Sequence, residues 1–300
     1  MATRRRRKRA PRKPTPKSKG PIERRYVRAI MRRVVHPIRQ IARKKLLPEL
    51  PKILRQEVRL DAAELRLDVD QIALDRVIEG LRIEFGRAVP LDEVEGIARD
   101  ILERTEGQQG QQLELLLGEE AARVRREVLG LDPLGSEPWL VDLLGKATQD
   151  NVGLIQSIPE QYLSDIEAQV LERSRAGVRV EALALELEND YMAQAAAWVK
   201  STENRAKLIA VDQVGKLYGE LDRIRQTELG VERYRWRTSK DERVRGNPSG
   251  KYPHSRPSHH DREGVVFSWA EPPSESSDDG HPGQPIRCRC YAEPVLSERR

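Results

Sequence analysis

The sequence has few aromatic residues, two cysteines and no long apolar run. Aromatic residues make up 4% of the 300 residues, and Leu, Ile, Val and Ala fill most apolar positions, which favours helices over β-sandwiches and barrels. No stretch approaches the roughly 18 consecutive apolar residues of a membrane helix, and the first residues lack the apolar segment of a signal peptide. The two cysteines, Cys288 and Cys290, exclude a disulfide-stabilised secreted scaffold. We therefore expect a protein of the cytosol, or one assembled there, with no membrane partner.

Acidic residues are absent from residues 1–22, which contain six Arg, four Lys and four Pro. The formal net charge is +6, so the remaining residues, with 44 basic and 48 acidic side chains, have a balance of −4. We call residues 1–22 the basic arm and expect it to be disordered in isolation, because it has no apolar face to bury.

A basic arm of this kind binds polyanions by neutralising phosphates, without reading base sequence. The side chains that we predict to contact nucleic acid are Arg4, Arg5, Arg6, Arg7, Lys8, Arg9, Arg12 and Lys13. Two alternatives stay open at this point, an acidic protein surface as the partner and a purely solubilising tail.

Apolar residues at helical spacing predict a helical N-terminal region over residues 23–135. Within it, the pattern predicts one long helix over 53–85, a second helix that begins near Asp92, and a third over 113–129. The polar run EGQQGQQ at 106–112 predicts a loop between the last two helices. The Gly and Pro residues from Gly130 to Pro138 indicate a linker, which we place at 136–150.

The second half of the sequence changes its period near residue 230. Apolar positions predict helices over 151–229, whereas Tyr234, Trp236 and Thr238 alternate with arginines as in a half-buried strand. Residues 265–267 and 289–295 are two further short strand candidates between loops rich in Pro, Ser and Gly. We therefore predict a mainly α fold with a small β-containing C-terminal cap over 230–296, an α+β protein.

The two cysteines lie one residue apart, at 288 and 290. That spacing suits a pair of thiolates on one zinc ion, with a histidine and a carboxylate completing a tetrahedron. We predict a zinc site formed by Cys288, Cys290, His259 and Asp241. The alternative is that the two thiols only pack on a short strand. A disulfide between them is disfavoured because a Cys-x-Cys bridge closes a strained ring.

Three neighbouring features compete with this interpretation of the cluster. Asp241 also fits a salt-bridge corner with Arg243 and Arg245 after the Trp-bearing strand. His254 and His260 compete with His259 for the role of ligand.

Several ordered motifs resemble one known family. They are the run ENRAKLIAVDQVGKLYGELDRIRQTELGVERYRWRTSKDERVR, His259 five residues before Gly264, the segment GVVFSW, and GHPGQPIRCRCYAEPV. Together they resemble the Mu F-like minor head protein family, also called the phage head morphogenesis family. The segment NVGLIQSIPEQYL is similar to the start of the same domain, so the resemblance covers residues 151–296. The loop GNPSGKYPHSRP at 246–257 departs from the family pattern.

This resemblance implies a virion component and no catalytic residues. It implies a minor head protein of a tailed bacteriophage that joins the prohead at the portal vertex. Such a protein would be assembled in the host cytoplasm and would lie inside the head near that vertex. The implied partners are the portal protein and the major capsid or scaffold protein, with double-stranded DNA contacted non-specifically through the basic arm. The alternative is a metal-dependent nuclease or an effector domain of the same phage family, for which His259, His260 and Asp261 are the candidate residues.

Overall fold

A computed structural model describes residues 18–57, 66–129, 137–175, 196–273 and 280–296. The first half begins with helix α1 (Gly20–Ile30), a π-helical turn (Met31–Val35), α2 (His36–Leu46), a 3-10 turn (Leu47–Glu49) and α3 (Leu50–Ile53). Strands β1 (Leu54–Glu57) and β2 (Arg66–Val69) then pair antiparallel, with Leu54 opposite Val69. Helices α4 (Gln71–Ala88) and α5 (Leu91–Leu129) follow.

The second half contains α6 (Pro138–Arg175), α7 (Ala196–Glu228) and strands β3 (Arg233–Arg237), β4 (Val266–Ser268) and β5 (Tyr291–Pro294). The predicted fold class, mainly α with a small β-containing cap, is confirmed. Gly230, whose φ is 73°, ends the last helix with a backbone conformation that favours glycine. Within the described ranges, no helix combines the length and the apolar character needed to cross a bilayer.

Two local predictions are wrong in the N-terminal region. The single helix predicted over 53–85 is instead the β1–β2 pair followed by α4. The helix begins only after Asp70, whose side chain caps it by accepting a hydrogen bond from the Ala73 amide at 3.0 Å.

The loop predicted at 106–112 is helical, since α5 runs without a break through these residues. Glutamine is a good helix former, and Gln109 and Gln112 are buried there. The predicted linker 136–150 is also helical from Pro138 onward. Proline is favoured at the first position of a helix, where its missing amide hydrogen costs no hydrogen bond.

The described residues form two compact units, each of which draws on both halves of the sequence. The helical unit consists of the described residues among Gly20–Arg104 and Trp139–Val214. The cap unit consists of the described residues among 105–138 and 215–296, together with Ser18 and Lys19. This division differs from the predicted domains 23–135 and 151–296, because α5 and α7 each supply residues to both units.

The helical unit has an aliphatic core with few aromatic rings. Tyr26, Ile30 and Val34 of the first helices are fully buried, as are Ile155 and Ile166 of α6. Phe85 and Tyr162 pack with their ring centroids 6.2 Å apart. This core is built from the same apolar periodicity that predicted helices.

A buried ionic network holds α5 to α7 within the cap unit. The guanidinium of Arg225 is 1% exposed and lies 2.6 Å from Glu137 and 2.5 Å from Glu106. It also donates a hydrogen bond to Gln109, whose amide donates to Asp222 at 2.8 Å. Burial raises the pKa of Asp222 to about 6. Gln109, from the run that suggested a loop, is therefore part of the interior of the unit.

Candidate metal centre

The three-stranded sheet provides the support for the candidate site. Strand β3 is central, with β4 on one side and β5 on the other, and all pairs are antiparallel. Tyr234 and Trp236 of β3 are fully buried and pack with Trp269 and Ala292. The alternation of aromatic and arginine residues that predicted this strand places the aromatic rings in the core.

The structure brings three of the four predicted ligands together. The Nδ1 atom of His259 lies 3.7 Å from the Sγ atom of Cys288 and 3.7 Å from that of Cys290. All three residues are buried, and their candidate ligand atoms lie within 4.8 Å of one another. The ring of Trp236 packs edge-on against His259, with a centroid distance of 5.1 Å. The imidazole is thus held beside the thiols by the core of the cap unit.

This geometry fits a zinc ion. Tetrahedral zinc with Zn–S bonds of about 2.3 Å and Zn–N bonds of about 2.0 Å holds its sulfur and nitrogen ligands about 3.5 Å apart. The separations of 3.7 Å need only a small contraction. One nitrogen and two sulfur ligands match the ligand preference of zinc. His259, Cys288 and Cys290 would hold the ion, and its fourth position would take a water molecule or an exogenous ligand.

The two thiols have opposite pKa shifts. A hydrogen bond with Cys290, helped by His259, holds the pKa of Cys288 well below its usual value. Burial raises the pKa of Cys290 well above its usual value. The cluster therefore favours one thiolate in the free protein, and the charge of a bound ion would displace the second proton.

Two glycines of α7 allow the cysteine-bearing loop to approach the helix closely. A Cβ atom at Gly215 would lie 2.8 Å from the carbonyl oxygen of Cys288. At Gly219 it would overlap the carbonyl oxygen of Pro282 and lie 3.0 Å from the Cα atom of Gly283. Gly283, with φ at 95°, donates its amide hydrogen to Sγ of Cys288 at 3.4 Å. The signal in the sequence for this close approach is the pair of glycines four residues apart in one helix.

A second set of contacts that sequence reasoning missed ties α7 to the sheet. Gln226 is fully buried, donates to the Ala292 carbonyl at 3.0 Å and accepts from the Trp269 indole at 3.2 Å. The hydroxyl of Tyr234 lies 2.9 Å from Nδ1 of His281. Burial lowers the pKa of His281, which favours the neutral ring. Both strands that flank β3 are therefore anchored by polar groups in an otherwise apolar core.

Asp241, the fourth predicted ligand, is not in the metal cluster. Its carboxylate forms ion pairs with Arg289 and Arg243, and it accepts a hydrogen bond from the Arg243 amide at 2.9 Å. This arrangement resembles the predicted salt-bridge corner. Arg245, the third member of that corner, donates instead to the Ile286 carbonyl at 2.8 Å.

The competing histidines lie away from the thiols. His254 and His260 are exposed, and the ring of His260 lies 3.5 Å from Asp261. The predicted nucleic-acid contacts, from Arg4 to Lys13, lie outside the described residues. The end of the arm, predicted to be disordered up to residue 22, is instead ordered: helix α1 begins at Gly20, and the buried Lys19 donates a hydrogen bond to the Cys290 carbonyl at 3.4 Å.

Comparison with known proteins identifies the segment that contains this centre. Residues 164–293 match the family model described as phage Mu protein F like protein. An uncharacterized protein of Haemophilus influenzae is 34% identical over 163 residues, which cover 54% of this chain and 32% of that relative. The chain thus spans about a third of the length of that relative, and no solved structure matches it. The matched residues 164–293 include α7, the sheet and the His–Cys–Cys cluster, and this segment of the chain resembles the phage Mu protein F-like family.

Proposed function

We propose that the protein is a minor head protein of a tailed bacteriophage that associates with the portal vertex during prohead assembly. The family match over residues 164–293 carries this proposal. The protein would be assembled in the host cytoplasm and would lie inside the head, near the portal. Its partners would be the portal protein, the major capsid or scaffold protein, and packaged DNA.

The portal contact can be tested by co-expression. The portal protein encoded in the same phage or prophage genome would be produced with this chain, and the mixture would be separated by size-exclusion chromatography. We expect one complex that contains both proteins. The major capsid and scaffold proteins, produced in the same way, serve as comparisons. Elution of the portal and this chain as separate species would contradict the portal assignment.

The basic arm is the proposed DNA contact. Eight basic residues lie between Arg4 and Lys13, whereas the rest of the chain beyond residue 22 has a net balance of −4. If all eight contact phosphates, the logarithm of the binding constant should fall with the logarithm of salt concentration with a slope of about −7. Binding would be independent of base sequence.

A matched pair of variants tests the arm. Replacing Arg4 and Arg5 by Gln should reduce the salt slope by about 2, because each neutralised phosphate contributes about 0.9. Replacing the exposed Arg76 and Arg87 of α4 by Gln removes the same charge from the helical unit and should leave the slope unchanged. Gel-shift titrations at several salt concentrations provide the slopes. Equal slopes for the two variants would contradict the arm assignment.

We further propose that the His–Cys–Cys cluster binds a structural zinc ion, with His259, Cys288 and Cys290 as ligands. The spacing of the donor atoms, their burial and the thiolate character of Cys288 support this. The ion would connect the loop before β5, which carries both cysteines, to the loop that carries His259. Its role in the cap unit would be to fix these two loops.

The family favours an assembly role over catalysis. The nuclease alternative needs His259, His260 and Asp261 to share a hydrolytic ion, whereas His259 is buried beside the two thiols and both His260 and Asp261 are exposed. We expect no cleavage of DNA in the presence of Mg²⁺, Mn²⁺ or Zn²⁺. Cleavage by the wild-type protein that is lost on His259→Ala would establish the alternative.

A further inference from the structure

The loops that surround the His–Cys–Cys cluster form an open cavity of about 350 Å³ in the cap unit. His259, Cys288 and Cys290 form part of its wall. Five arginines also line it: Arg243, Arg245, Arg256, Arg287 and Arg289. None of its lining residues is Asp or Glu. A concave site with this many cations and no lining carboxylate points to an anionic ligand.

Nearby acidic groups neutralise only part of this charge. Asp241 pairs with Arg289 and Arg243, and the Arg243 side chain remains 56% exposed. Arg256 is exposed and uses one nitrogen to donate to the carbonyls of Pro253 and Ser255. Because a guanidinium has five N–H donors, these contacts leave donors available for a ligand.

The loop geometry holds several of these arginines in place. The hydrogen bond from Arg245 to the Ile286 carbonyl joins the two loops that form the wall. Arg287 has a φ of 57°, a left-handed conformation that non-glycine residues adopt only where the surrounding structure imposes it. The ion pair between Asp241 and Arg289 adds a third connection. The arginines therefore line a shaped cavity and are not scattered over a surface.

The chemistry of the lining selects a phosphate group. Planar guanidinium groups bind phosphate with paired hydrogen bonds, and the hydroxyls of Ser239, Ser255 and Tyr252 add neutral donors. The volume is near the lower end of the range for small-molecule sites, about 300–1,000 Å³. A strand end or a nucleotide fits such a cavity, whereas the side of a duplex does not enter it. A terminal phosphate also carries a charge of about −2, more than a phosphodiester.

We propose that this arginine-lined cavity binds a phosphomonoester, either the terminal phosphate of a DNA strand or a free nucleotide. The strand-end source rests on the proposed role beside packaged DNA, whereas the nucleotide source does not. The cavity would act separately from the basic arm, because the arm contacts any backbone phosphate and does not distinguish a strand by its end.

The test compares labelled single strands of about 12 nucleotides that differ only in a 5′-phosphate or a 5′-hydroxyl, measured by fluorescence anisotropy with the full chain. We expect the phosphorylated strand to bind at least about tenfold more tightly, as one or two charge-assisted hydrogen bonds provide. Adenosine monophosphate, added as a competitor, reports the free-nucleotide source. Because the arm contributes equally to the two strands, a difference between them reports the cavity whether or not the arm assignment holds.

Single variants locate the effect. Arg243→Gln or Arg256→Gln should reduce the affinity ratio to near 1, while Arg233→Gln, an exposed arginine of β3 outside the cavity, should leave it unchanged. Urea unfolding of each variant checks that the fold is retained. A ratio above 10 that both cavity variants abolish supports the strand-end source, and competition by the nucleotide without such a ratio supports the free-nucleotide source. Equal binding of the two strands and no competition would overturn the proposal.

Discussion

Substitution of Gly219 by Ala should destabilise the cap unit, although alanine is the better helix former. The new methyl group would overlap the carbonyl oxygen of Pro282 and lie 3.0 Å from Gly283. The atoms that it meets belong to the backbone of the loop that leads to Cys288, so no side chain can rotate away. Either the loop or the helix must move.

The magnitude follows from comparison with Gly107 of α5, in the same unit. A Cβ atom at Gly107 meets no atom of the described residues within 4 Å. Gly107→Ala should therefore stabilise the protein by about 0.5–1 kcal/mol through helix propensity alone. Gly219→Ala gains the same term but adds overpacking, which costs about 1–3 kcal/mol. The two variants should differ in their free energy of unfolding by about that amount, toward its upper end.

Urea unfolding followed by tryptophan fluorescence measures this difference, since Trp236 and Trp269 lie in the core of the cap unit. Gly219→Ala should also weaken metal binding, because Gly283 and Cys288 belong to the displaced loop. If Gly219→Ala proves as stable as Gly107→Ala, the close approach of loop and helix described above is wrong.

Three further predictions concern buried charges and the metal. Because burial raises the pKa of Asp222 from 3.8 to about 6, the folded state keeps a proton that the unfolded chain loses, and the free energy of unfolding should fall by about 3 kcal/mol between about pH 4 and 7. Urea unfolding at several pH values should show no such fall in Asp222→Asn. Equal pH profiles for the wild type and this variant would contradict the raised pKa. Arg225→Met should lower the free energy of unfolding by about 3–5 kcal/mol in the same assay, whereas Arg223→Met, which removes a half-exposed ion pair, should lower it by about 1 kcal/mol or less. Similar losses for the two variants would contradict the buried ionic network around Arg225. Mass spectrometry of the purified protein should find about one zinc ion per chain. Cys288→Ser should lose the zinc, whereas His260→Ala should retain it. Full zinc occupancy in Cys288→Ser would exclude the proposed site.

The cap could be predicted because its signals are local. Alternation of Tyr234 and Trp236 with arginines reports a half-buried strand within a few residues. The cysteine spacing and the order of the family motifs identified three residues that the structure brings together. Asp241 was placed incorrectly because sequence spacing cannot show that Arg289 competes for its carboxylate.

The interior of α5 could not be predicted, because its cause is distant in the sequence. Gln109 looks like a loop residue by polarity, but its partners Asp222 and Arg225 are more than 110 residues away. The β1–β2 pair was missed for a related reason. Leu54 continues a helical apolar pattern, and only the pairing with Val69 makes it a strand.

The order of the strands has a consequence for biosynthesis. After β3 and β4 have been synthesised, more than 20 further residues must be added before β5 can pair with the other edge of β3. The two thiols reach His259 only with this last segment. Until then the edge of β3 that β5 occupies stays open, and the aromatic core lacks Cys288, Cys290 and Ala292. Truncated products that stop before Tyr291 should therefore be insoluble or degraded.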